Sequence, residues 1–248
     1  MNNEEYERMY RLEDSYWWFV GRHNLIETFL EKEYPGKNDL TILDIGCGTG
    51  AMSQKLNTKG LVVSADFSPL ALTFSKKRGL YRLCNADAMN LPFKSESFDV
   101  IISLDILEHL PNDCAALREY LRVLKPGGKL FATVPAYASL WSGHDVALMH
   151  HRRYHTGELQ RKVREAGFTL HKVSYAMTIL CPVVWAYRKI SRFFGNKPAA
   201  SLVPVPSVIN RSLTSLLNLE NAWIKRKSFP FGVTLFCVAN KQSSLPDK

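Results

Sequence analysis

The chain has 248 residues, of which 46% are hydrophobic and 22% charged, and its formal net charge is +9. This length suits one large domain or two small ones, and the composition excludes a disordered or fibrous protein. The five cysteines include no C-x-x-C pair, which argues against a disulfide framework or a zinc knuckle and favours a reducing compartment. The acidic, polar start lacks the pattern of a secretory signal, so we expect a cytoplasmic protein.

Residues 1–39 precede the first expected strand and include the aromatic stretch YWWFVGRH at 16–23. Large aromatic side chains of this kind need a surface to cover. We therefore predict an N-terminal helical segment that packs on the rest of the chain.

From residue 40 onwards, short β-rich runs alternate with helical stretches, which predicts a parallel sheet covered by helices. Strands are expected at 40–45, 61–66, 81–86, 98–104, 128–135, 169–176 and 232–241. A helical face between the fourth and fifth strands is formed by Leu117, Tyr120, Leu121 and Leu124. KPGG at 125–128 then marks the turn into the fifth strand, and a further helix is expected from Thr156 to Gly167.

A glycine-rich loop, LDIGCGTG at 43–50, follows the first strand and precedes a helix. Gly46, Gly48 and Gly50 let the backbone approach a ligand closely, and the helix after them presents N–H groups and a positive dipole end. By itself this pattern leaves two alternatives open, a nucleotide-type cofactor site and a plain tight turn.

Acidic residues stand at the ends of the next two strands. Asp66 lies about twenty positions after the loop, where a carboxylate can accept hydrogen bonds from ribose hydroxyls. Asp87 follows the third strand and is expected at the same edge of the sheet. The alternative for each acid is a helix-capping or solvent-facing carboxylate.

These motifs, in this order, resemble the class I S-adenosylmethionine-dependent methyltransferases, and in particular a bacterial type 11-like subgroup with an N-terminal YWWF segment. The resemblance covers about residues 40–176 and the last strand. The matching segments are LDIGCGTG (43–50), ADFSPLAL (65–72), NADAMNLPF (85–93), FDVIISLDILEHL (98–110) and VLKPGGKL (123–130). The resemblance implies a Rossmann-like fold, with a seven-stranded, mostly parallel sheet, helices on both faces, an N-terminal helical lid and a helical insertion before the last strand.

S-adenosylmethionine is the cofactor that this resemblance implies. The glycines of the loop would approach its methionine part, Asp66 its ribose, Phe67 one face of the adenine, and Asp87 with Ala88 the adenine edge. The remaining cofactor contacts that we predict are Tyr16, Asp44 and Leu104. A dinucleotide dehydrogenase is disfavoured because GCGTGA matches its G-x-G-x-x-G fingerprint only with Ala51 in place of the last glycine.

The lid hypothesis concerns the N-terminal aromatics. Methyltransferases of this type often carry an N-terminal helix over the cofactor, which implies that Tyr16, Trp17 and Phe19 help to form such a lid. Simple packing of an appended helix on the sheet is the alternative.

The segment after the fourth strand bears on the methyl acceptor. It reads SLDILEHL and lacks the [DNS]-P-P-[YF] turn of many amino methyltransferases, which disfavours DNA and protein-amide acceptors. DILEH resembles the E-x-x-E-H of ubiquinone-pathway O-methyltransferases, where two acids and a histidine are associated with a divalent ion. We predict His109 as a base or substrate contact and no metal, while capping of the next helix by Glu108 and His109 stays open.

The stretch GHDVALMHHRRYH (143–155) holds four of the seven histidines and follows the fifth strand. Ligands of open α/β folds bind at this edge of the sheet. We predict His144 as a second candidate base, oriented by Asp145. The predicted acceptor contacts are His150, Arg152, Arg153 and Tyr154, and the paired arginines suggest an acidic acceptor. A solvated loop is the alternative.

Residues 178–231 contain eight basic residues and a single acid, Glu220, in two stretches with apolar residues at helical spacing. Neither stretch is apolar enough to span a membrane. The segment suits an anionic membrane surface or a helical cap over the substrate pocket, and it suits an RNA backbone or a homodimer contact less well.

We therefore expect two parts, an N-terminal lid at 1–39 and a methyltransferase domain at 40–248 that includes the insertion 178–231. The expected reaction is O-methylation of a small or lipid-linked metabolite, such as an aromatic or a sugar, with a nitrogen or carbon atom as the alternative acceptor. The alternatives are a metal-assisted catechol or quinone-precursor O-methyltransferase, an RNA methyltransferase and a non-catalytic partner protein. A peripheral position on the inner face of the membrane is compatible with the expected cytoplasmic location.

Overall fold

The structure is a computed structural model that describes residues 3–193 and 205–243. Within these residues, seven strands form one sheet in the order β3-β2-β1-β4-β5-β7-β6. The strands are β1 (Leu40–Ile45), β2 (Gly60–Asp66), β3 (Leu83–Asn85), β4 (Phe98–Leu104), β5 (Leu124–Pro135), β6 (Thr169–Ala176) and β7 (Thr234–Asn240). This topology confirms the predicted Rossmann-like fold.

The first five strands pair in parallel, and β1 lies between β2 and β4. Ile42 pairs with Val62 on one side and with Val100 on the other. The chain thus moves outward from β1 to β3 and then returns to the other side of β1 with β4. This reversal creates the switch point at which open α/β sheets bind their ligands.

Nine α-helices lie within the described ranges. They are α1 (Asn3–Leu12), α2 (Trp17–Glu33), α3 (Ala51–Leu56), α4 (Pro69–Lys77), α5 (Asp113–Val123), α6 (Gly143–Ala147), α7 (Thr156–Glu165), α8 (Cys181–Phe193) and α9 (Ser207–Ile224). Helix α7 starts at the expected Thr156, and α8 and α9 form the expected helical insertion before β7. The insertion residues Phe194 and Lys197 lie outside the described part of the chain.

Four strands differ in length from their predictions: β2 is one residue longer, β7 is three residues shorter, and β3 and β5 also differ. The third was expected at 81–86, but β3 pairs with β2 only from Leu83 to Asn85, and Tyr81 is 85% exposed. The fifth was expected from residue 128, but β5 begins at Leu124, which pairs with Phe98 ahead of a register shift. The KPGG segment therefore lies inside β5 as an irregularity, because pairing with β4 resumes beyond it.

The chain divides into two compact units. Unit 1 consists of Met1–Gly36, Pro135–His155 and Ser174–Leu235, and unit 2 consists of Lys37–Val134, Thr156–Val173 and Phe236–Lys248. The N-terminal helices therefore belong with the insertion, a grouping that the sequence did not predict.

Helix α2 of unit 1 packs closely on α9. Gly21 allows this approach, because a Cβ atom at this position would collide with the side chain of Leu217. The Nδ2 group of Asn221 donates to the carbonyl of Gly21 at 2.9 Å. The backbone N–H of Trp17 donates to Oδ1 of Asn210 at 2.9 Å. These bonds join segments about 200 residues apart into one layer of unit 1.

The described residues contain no helix that is both long and apolar enough to cross a bilayer.

Candidate active site

The glycine loop after β1 takes a conformation that only glycine adopts without strain. Gly46, Gly48 and Gly50 have φ values of 70°, 57° and 91°, in the left-handed region. A Cβ atom on Gly46 would also collide with the side chain of Ile106, which follows β4. The loop therefore packs tightly at the switch point and presents bare backbone there.

Asp66, at the end of β2, is held against this loop. Its Oδ2 accepts from the N–H of Gly48 at 2.9 Å, and its Oδ1 accepts from the N–H of Ser68 at 2.8 Å. Asp66 is only 9% exposed. This burial raises the pKa of its carboxyl group, although the two amide hydrogen bonds act in the opposite direction.

This geometry fits the ribose of S-adenosylmethionine. An ionised carboxylate offers about four acceptor positions, and the two backbone amides use one on each oxygen of Asp66. Each oxygen thus keeps capacity for a further donor, as a vicinal diol requires. The residues present are therefore suited to the implied cofactor.

Asp44, a predicted cofactor contact, lies beneath the loop. It is 2% exposed, and its Oδ2 accepts from Oγ of Ser53 at 2.6 Å. Ser53 in turn accepts from Oγ of Ser64 at 2.7 Å. This chain of hydrogen bonds links β1, α3 and β2, so the structure places Asp44 where it anchors the loop.

The predicted adenine contacts surround the ends of β2 and β3. Phe67 is 77% exposed, whereas Ala88 is buried, and Leu104 at the end of β4 is half-buried. Oδ1 of Asp87 accepts from the N–H of Met89 at 2.8 Å, which leaves its other oxygen available for an adenine amino group. The exposed ring of Phe67 offers an apolar face, and its contact with adenine stays a prediction.

Sequence reasoning missed Asn85 in this region. Its Nδ2 donates to the carbonyls of Asp66 and Phe67 at 3.0 and 2.9 Å. It thereby holds the backbone that carries both predicted cofactor contacts. The only sequence signal was its position two residues before Asp87.

The three polar residues of the DILEH segment after β4, Asp105, Glu108 and His109, differ in their contacts and burial. Asp105 has φ of 55°, and its Oδ1 accepts from Oγ1 of Thr133 at 2.9 Å. Glu108 is fully buried, whereas His109 is half-buried at the end of a 3-10 turn. The cap of α5 is Asn112, whose Oδ1 accepts from the N–H of Ala115 at 3.0 Å. The capping alternative for Glu108 and His109 is therefore wrong.

In unit 1, the stretch 143–155 is organised around one buried carboxylate. Asp145 is 0% exposed. Its Oδ1 accepts from Nδ1 of His150 at 2.9 Å and from Nε of Arg153 at 2.7 Å. Its Oδ2 accepts from the N–H of Ser142 at 2.8 Å and lies 3.5 Å from Nη1 of Arg188.

The partners of Asp145 control its charge. Burial alone would raise the pKa of Asp145, but the hydrogen bond from His150 and the charges of Arg153 and Arg188 lower it far below the ordinary range. The same arginines donate to backbone carbonyls, Arg153 to Ala136 at 3.0 Å and Arg188 to Leu140 at 2.6 Å. We call these four side chains the Asp145 cluster.

Two predictions for this stretch need correction. The imidazole that hydrogen-bonds to Asp145 is that of His150, where the sequence suggested His144. Desolvation, followed by the charge of Arg188, lowers the pKa of His144 to about 3. An imidazole with so low a pKa is a weak proton acceptor at neutral pH, which argues against His144 as the base.

The predicted acceptor contacts also differ in their exposure to solvent. Tyr154 is 0% exposed and bridges to Ala136, with its carbonyl accepting from the N–H of Tyr137 at 2.9 Å. Arg153 is buried in the Asp145 cluster, whereas Arg152 is half-buried. Among the predicted guanidinium contacts, Arg152 is therefore the more accessible.

An aromatic group that the sequence did not single out follows β5. Tyr137 stacks on Tyr175, with ring centroids 5.1 Å apart and planes at 9°, and its ring contacts the imidazole of His155 at 5.3 Å. Tyr137 has φ of 56°, and burial, followed by its contact with Tyr175, raises its pKa. Strained residues of this kind concentrate at functional sites, but a positive φ at tyrosine has no sequence signal.

The N-terminal aromatics lie within unit 1. Tyr16 and Phe19 are each 8% exposed, and the ring of Tyr16 lies 5.7 Å from that of Trp17. Trp17 and its neighbour Trp18 pack against the buried cluster that contains Leu217 of α9. Cofactor contact by Tyr16, and with it the lid, stays a prediction.

The sheet order is that of the class I S-adenosylmethionine-dependent methyltransferases, and the glycine loop with the acid after β2 is the cofactor site that we predict on it. Residues 43–132 match the family model described as a methyltransferase domain. These residues therefore form a methyltransferase domain of the class I type, and S-adenosylmethionine is its cofactor.

Relatives whose names give different functions are similar to this part of the chain. A human protein named probable tRNA methyltransferase 9B is 36% identical over 112 residues, which are 44% of this chain and 24% of that protein. Demethylmenaquinone methyltransferase of Staphylococcus epidermidis is 36% identical over 114 residues, covering 40% of this chain and 47% of that protein. The chain thus spans less than half the length of either relative.

A solved S-adenosylmethionine-dependent methyltransferase from Thermotoga maritima has the same fold, with a TM-score of 0.61 and 19% identity over 96% of each chain. At this identity, the likeness concerns the fold alone.

Proposed function

We propose that the protein transfers the sulfonium methyl group of S-adenosylmethionine to an oxygen atom of a small or lipid-linked metabolite, either an aromatic or a sugar. The observation that carries the proposal is the pairing of Asp66 with the glycine loop, since both carboxylate oxygens keep acceptor capacity at the switch point of the sheet.

When bound, S-adenosylmethionine supplies a methyl group that is already activated on a sulfonium. The protein's own residues then have to orient the reactants and exclude water. Asp66 would hold the ribose, while Asp87 and the exposed ring of Phe67 would hold the adenine. The bare backbone at Gly46 and Gly48 lets the loop approach the methionine part without a steric barrier.

A general base is needed only where the acceptor loses a proton, as a hydroxyl does. His109 is our candidate, because it is half-buried on the turn that directly follows β4. His144 is a poorer candidate, because its pKa of about 3 makes it a weak base. Arg152 is the candidate contact for an acidic group on the acceptor.

Two alternative acceptors have specific support. A tRNA acceptor is suggested by the name of the human relative and by the net charge of +9. A quinone-type acceptor is suggested by the name of the staphylococcal relative. Metal assistance at the turn after β4 stays an alternative, because a carboxylate oxygen of Glu108 and a ring nitrogen of His109 lie within 4.8 Å of each other, although Oδ1 of Asp105 accepts from Thr133.

The test is a transfer assay with methyl-labelled S-adenosylmethionine on three substrate pools: an aqueous metabolite extract, a lipid extract and total tRNA. We expect label in one of the two metabolite pools, in a product that acid or base treatment identifies as an ether or ester. Label confined to tRNA would establish the RNA alternative. Failure of the protein to bind S-adenosylmethionine in calorimetry would overturn the proposal.

A further inference from the structure

Helix α8 is apolar on two opposite faces. On the inner face, Cys181 and Val184 pack against the buried cluster around Leu217. On the outer face, Val183, Tyr187 and Ile190 recur at helical spacing and are 66%, 49% and 58% exposed. Ile179, one turn earlier, is 47% exposed. We call Ile179, Val183, Tyr187 and Ile190 the α8 face.

An exposed apolar stripe of this length is costly in water. Soluble monomers rarely expose contiguous apolar patches, and those that do generally use them for binding. Each aliphatic side chain of the α8 face would gain free energy if it moved from water into an apolar layer. The α8 face therefore has the character of a docking surface.

The charge of the surrounding segment indicates the partner. The exposed basic residues of the described insertion are Lys189, Arg211, Lys225, Arg226 and Lys227. The single acid of residues 178–231 is Glu220, which is 2% exposed and accepts from the N–H groups of Thr178 and Ile179 at 2.9 and 3.1 Å. At the exposed positions of the described insertion the charge is therefore positive, and no exposed acid of the insertion offsets it.

The hydrogen bonds of the buried Glu220 also hold α8 and α9 together. Its carboxylate joins α9 to the segment that leads into α8, and Oγ1 of Thr178 donates to the carbonyl of Phe231 at 2.6 Å. Both helices are thus anchored within unit 1 before any partner binds. A preformed surface loses less entropy on binding than one that must first fold.

Two exposed tryptophans are each paired with a lysine one turn further along the chain. Nζ of Lys189 lies 4.1 Å from the ring centroid of Trp185, and Nζ of Lys227 lies 5.8 Å from that of Trp223. Trp185 and Trp223 are 45% and 51% exposed. Tryptophan prefers the boundary between apolar chains and polar headgroups, and lysine extends its ammonium group towards the headgroups.

We propose that unit 1 docks on an anionic phospholipid bilayer, with α8 lying in the interface and its apolar face turned into the acyl boundary. Lys189 of α8 and the basic residues of the sequence 225–227 would contact lipid phosphates. An RNA backbone explains the charge but leaves the aliphatic residues of the α8 face in water. A second copy of the chain is disfavoured because two such basic surfaces repel each other.

Vesicle flotation tests this proposal with the full-length protein. We compare vesicles that contain about 30% phosphatidylglycerol with vesicles of phosphatidylcholine alone, because polybasic surfaces bind in proportion to anionic lipid. We expect binding only to the anionic vesicles, and weaker binding as salt is raised.

Two variants separate the apolar contribution from the charged one. We expect V183S/I190S to weaken binding by about tenfold or more, given the area that two aliphatic side chains would bury. We expect K225Q/R226Q/K227Q to weaken it by about a hundredfold, since each basic residue near the membrane surface contributes about one factor of five.

Matched controls lie in unit 2 at exposed positions. Y81S removes a side chain that is 85% exposed, and K37Q/K76Q/K94Q removes the same number of charges from exposed lysines. We expect both controls to bind vesicles as the natural protein does. Circular dichroism establishes that all variants are folded.

Three outcomes would overturn the proposal. They are equal binding to both kinds of vesicle, retention by tRNA with no vesicle binding, and a dimer in sedimentation that V183S/I190S converts to a monomer. Brominated lipids provide an independent readout, since they should quench tryptophan fluorescence in the natural protein and less so in W185F/W223F. None of these membrane-binding results depends on cofactor affinity. The proposed methyl transfer is therefore tested separately.

Discussion

Two buried carboxylates, one in each unit, have pKa values that are shifted in opposite directions. Asp66 of unit 2 is held by two backbone amides, and its pKa is raised because burial outweighs these bonds. Asp145 of unit 1 is held by His150, Arg153 and Arg188, which outweigh its burial and lower its pKa. Both acids are buried. Asp66 is held by uncharged backbone amides, whereas Asp145 is surrounded by positively charged arginines.

This difference distinguishes an acid that can still bind a ligand from an acid whose bonds are used within the fold. Asp66 accepts hydrogen bonds from two backbone amides and keeps acceptor capacity, so a ligand with two hydroxyl donors would complete its shell. Asp145 already accepts from the side chains of His150 and Arg153 and from both the hydroxyl and the backbone N–H of Ser142. Strongly perturbed pKa values mark functional sites only as a tendency, and here the partners decide between the two roles.

The largest effect is expected from Asp145→Asn. The change leaves Arg153 and Arg188 buried without their counter-charge, which typically costs about 3–5 kcal/mol. We expect a correspondingly lower free energy of unfolding in urea titrations. The matched control is Asp39→Asn at an exposed position, and an unfolding midpoint equal to the natural protein's would disprove the structural role of Asp145.

The next effect concerns cofactor binding by Asp66→Ala. Loss of charged hydrogen bonds to two ribose hydroxyls should cost about 3 kcal/mol or more, which is about a hundredfold in Kd. Isothermal titration calorimetry with S-adenosylmethionine measures this change, with Asp39→Ala as the control. Unchanged affinity in a folded Asp66→Ala protein would refute the ribose assignment.

A smaller effect is expected from pH, through His144. Its pKa is about 3 in the folded protein and about 6.5 in the unfolded chain. Between these values the unfolded state binds the extra proton, so stability falls as pH decreases, by about 1.4 kcal/mol for each unit. Over pH 6.5 to 5, the stability of His144→Gln should fall less steeply than that of the natural protein.

Urea titrations at several pH values measure this slope, and His151→Gln at an exposed position is the control. Equal slopes for the natural protein and His144→Gln would contradict the lowered pKa. In the same range the carboxylate of Asp145 stays ionised, so its own contribution is lost only at lower pH.

The smallest effect on stability is expected from Arg152→Ala, since this residue is half-buried and lies beside the cluster at Arg153. We expect a change of less than about 0.5 kcal/mol in unfolding free energy. Methyl transfer to an acidic acceptor should fall about tenfold in kcat/KM with unchanged cofactor affinity. An equal loss of cofactor affinity would instead place Arg152 at the donor side.

Much of unit 2 could be predicted because its signals are local. The strands β1 and β4 have the predicted bounds, since continuous apolar runs mark strands that are buried on both faces. The left-handed glycines of the loop follow from the sequence because other residues are strained there. Strand β3 was shorter than predicted, because its pairing depends on the edge of the sheet.

What the sequence by itself determined is therefore the order of strands and helices, the glycine loop and the acids that follow β2 and β3. Only the tertiary structure decided that His150 is the partner of Asp145, that Arg153 is buried with Arg188, and that α2 packs on α9. The physical reason is distance along the chain. Turn chemistry and periodicity act over a few residues, whereas charge pairing and burial depend on segments that only the folded chain brings together.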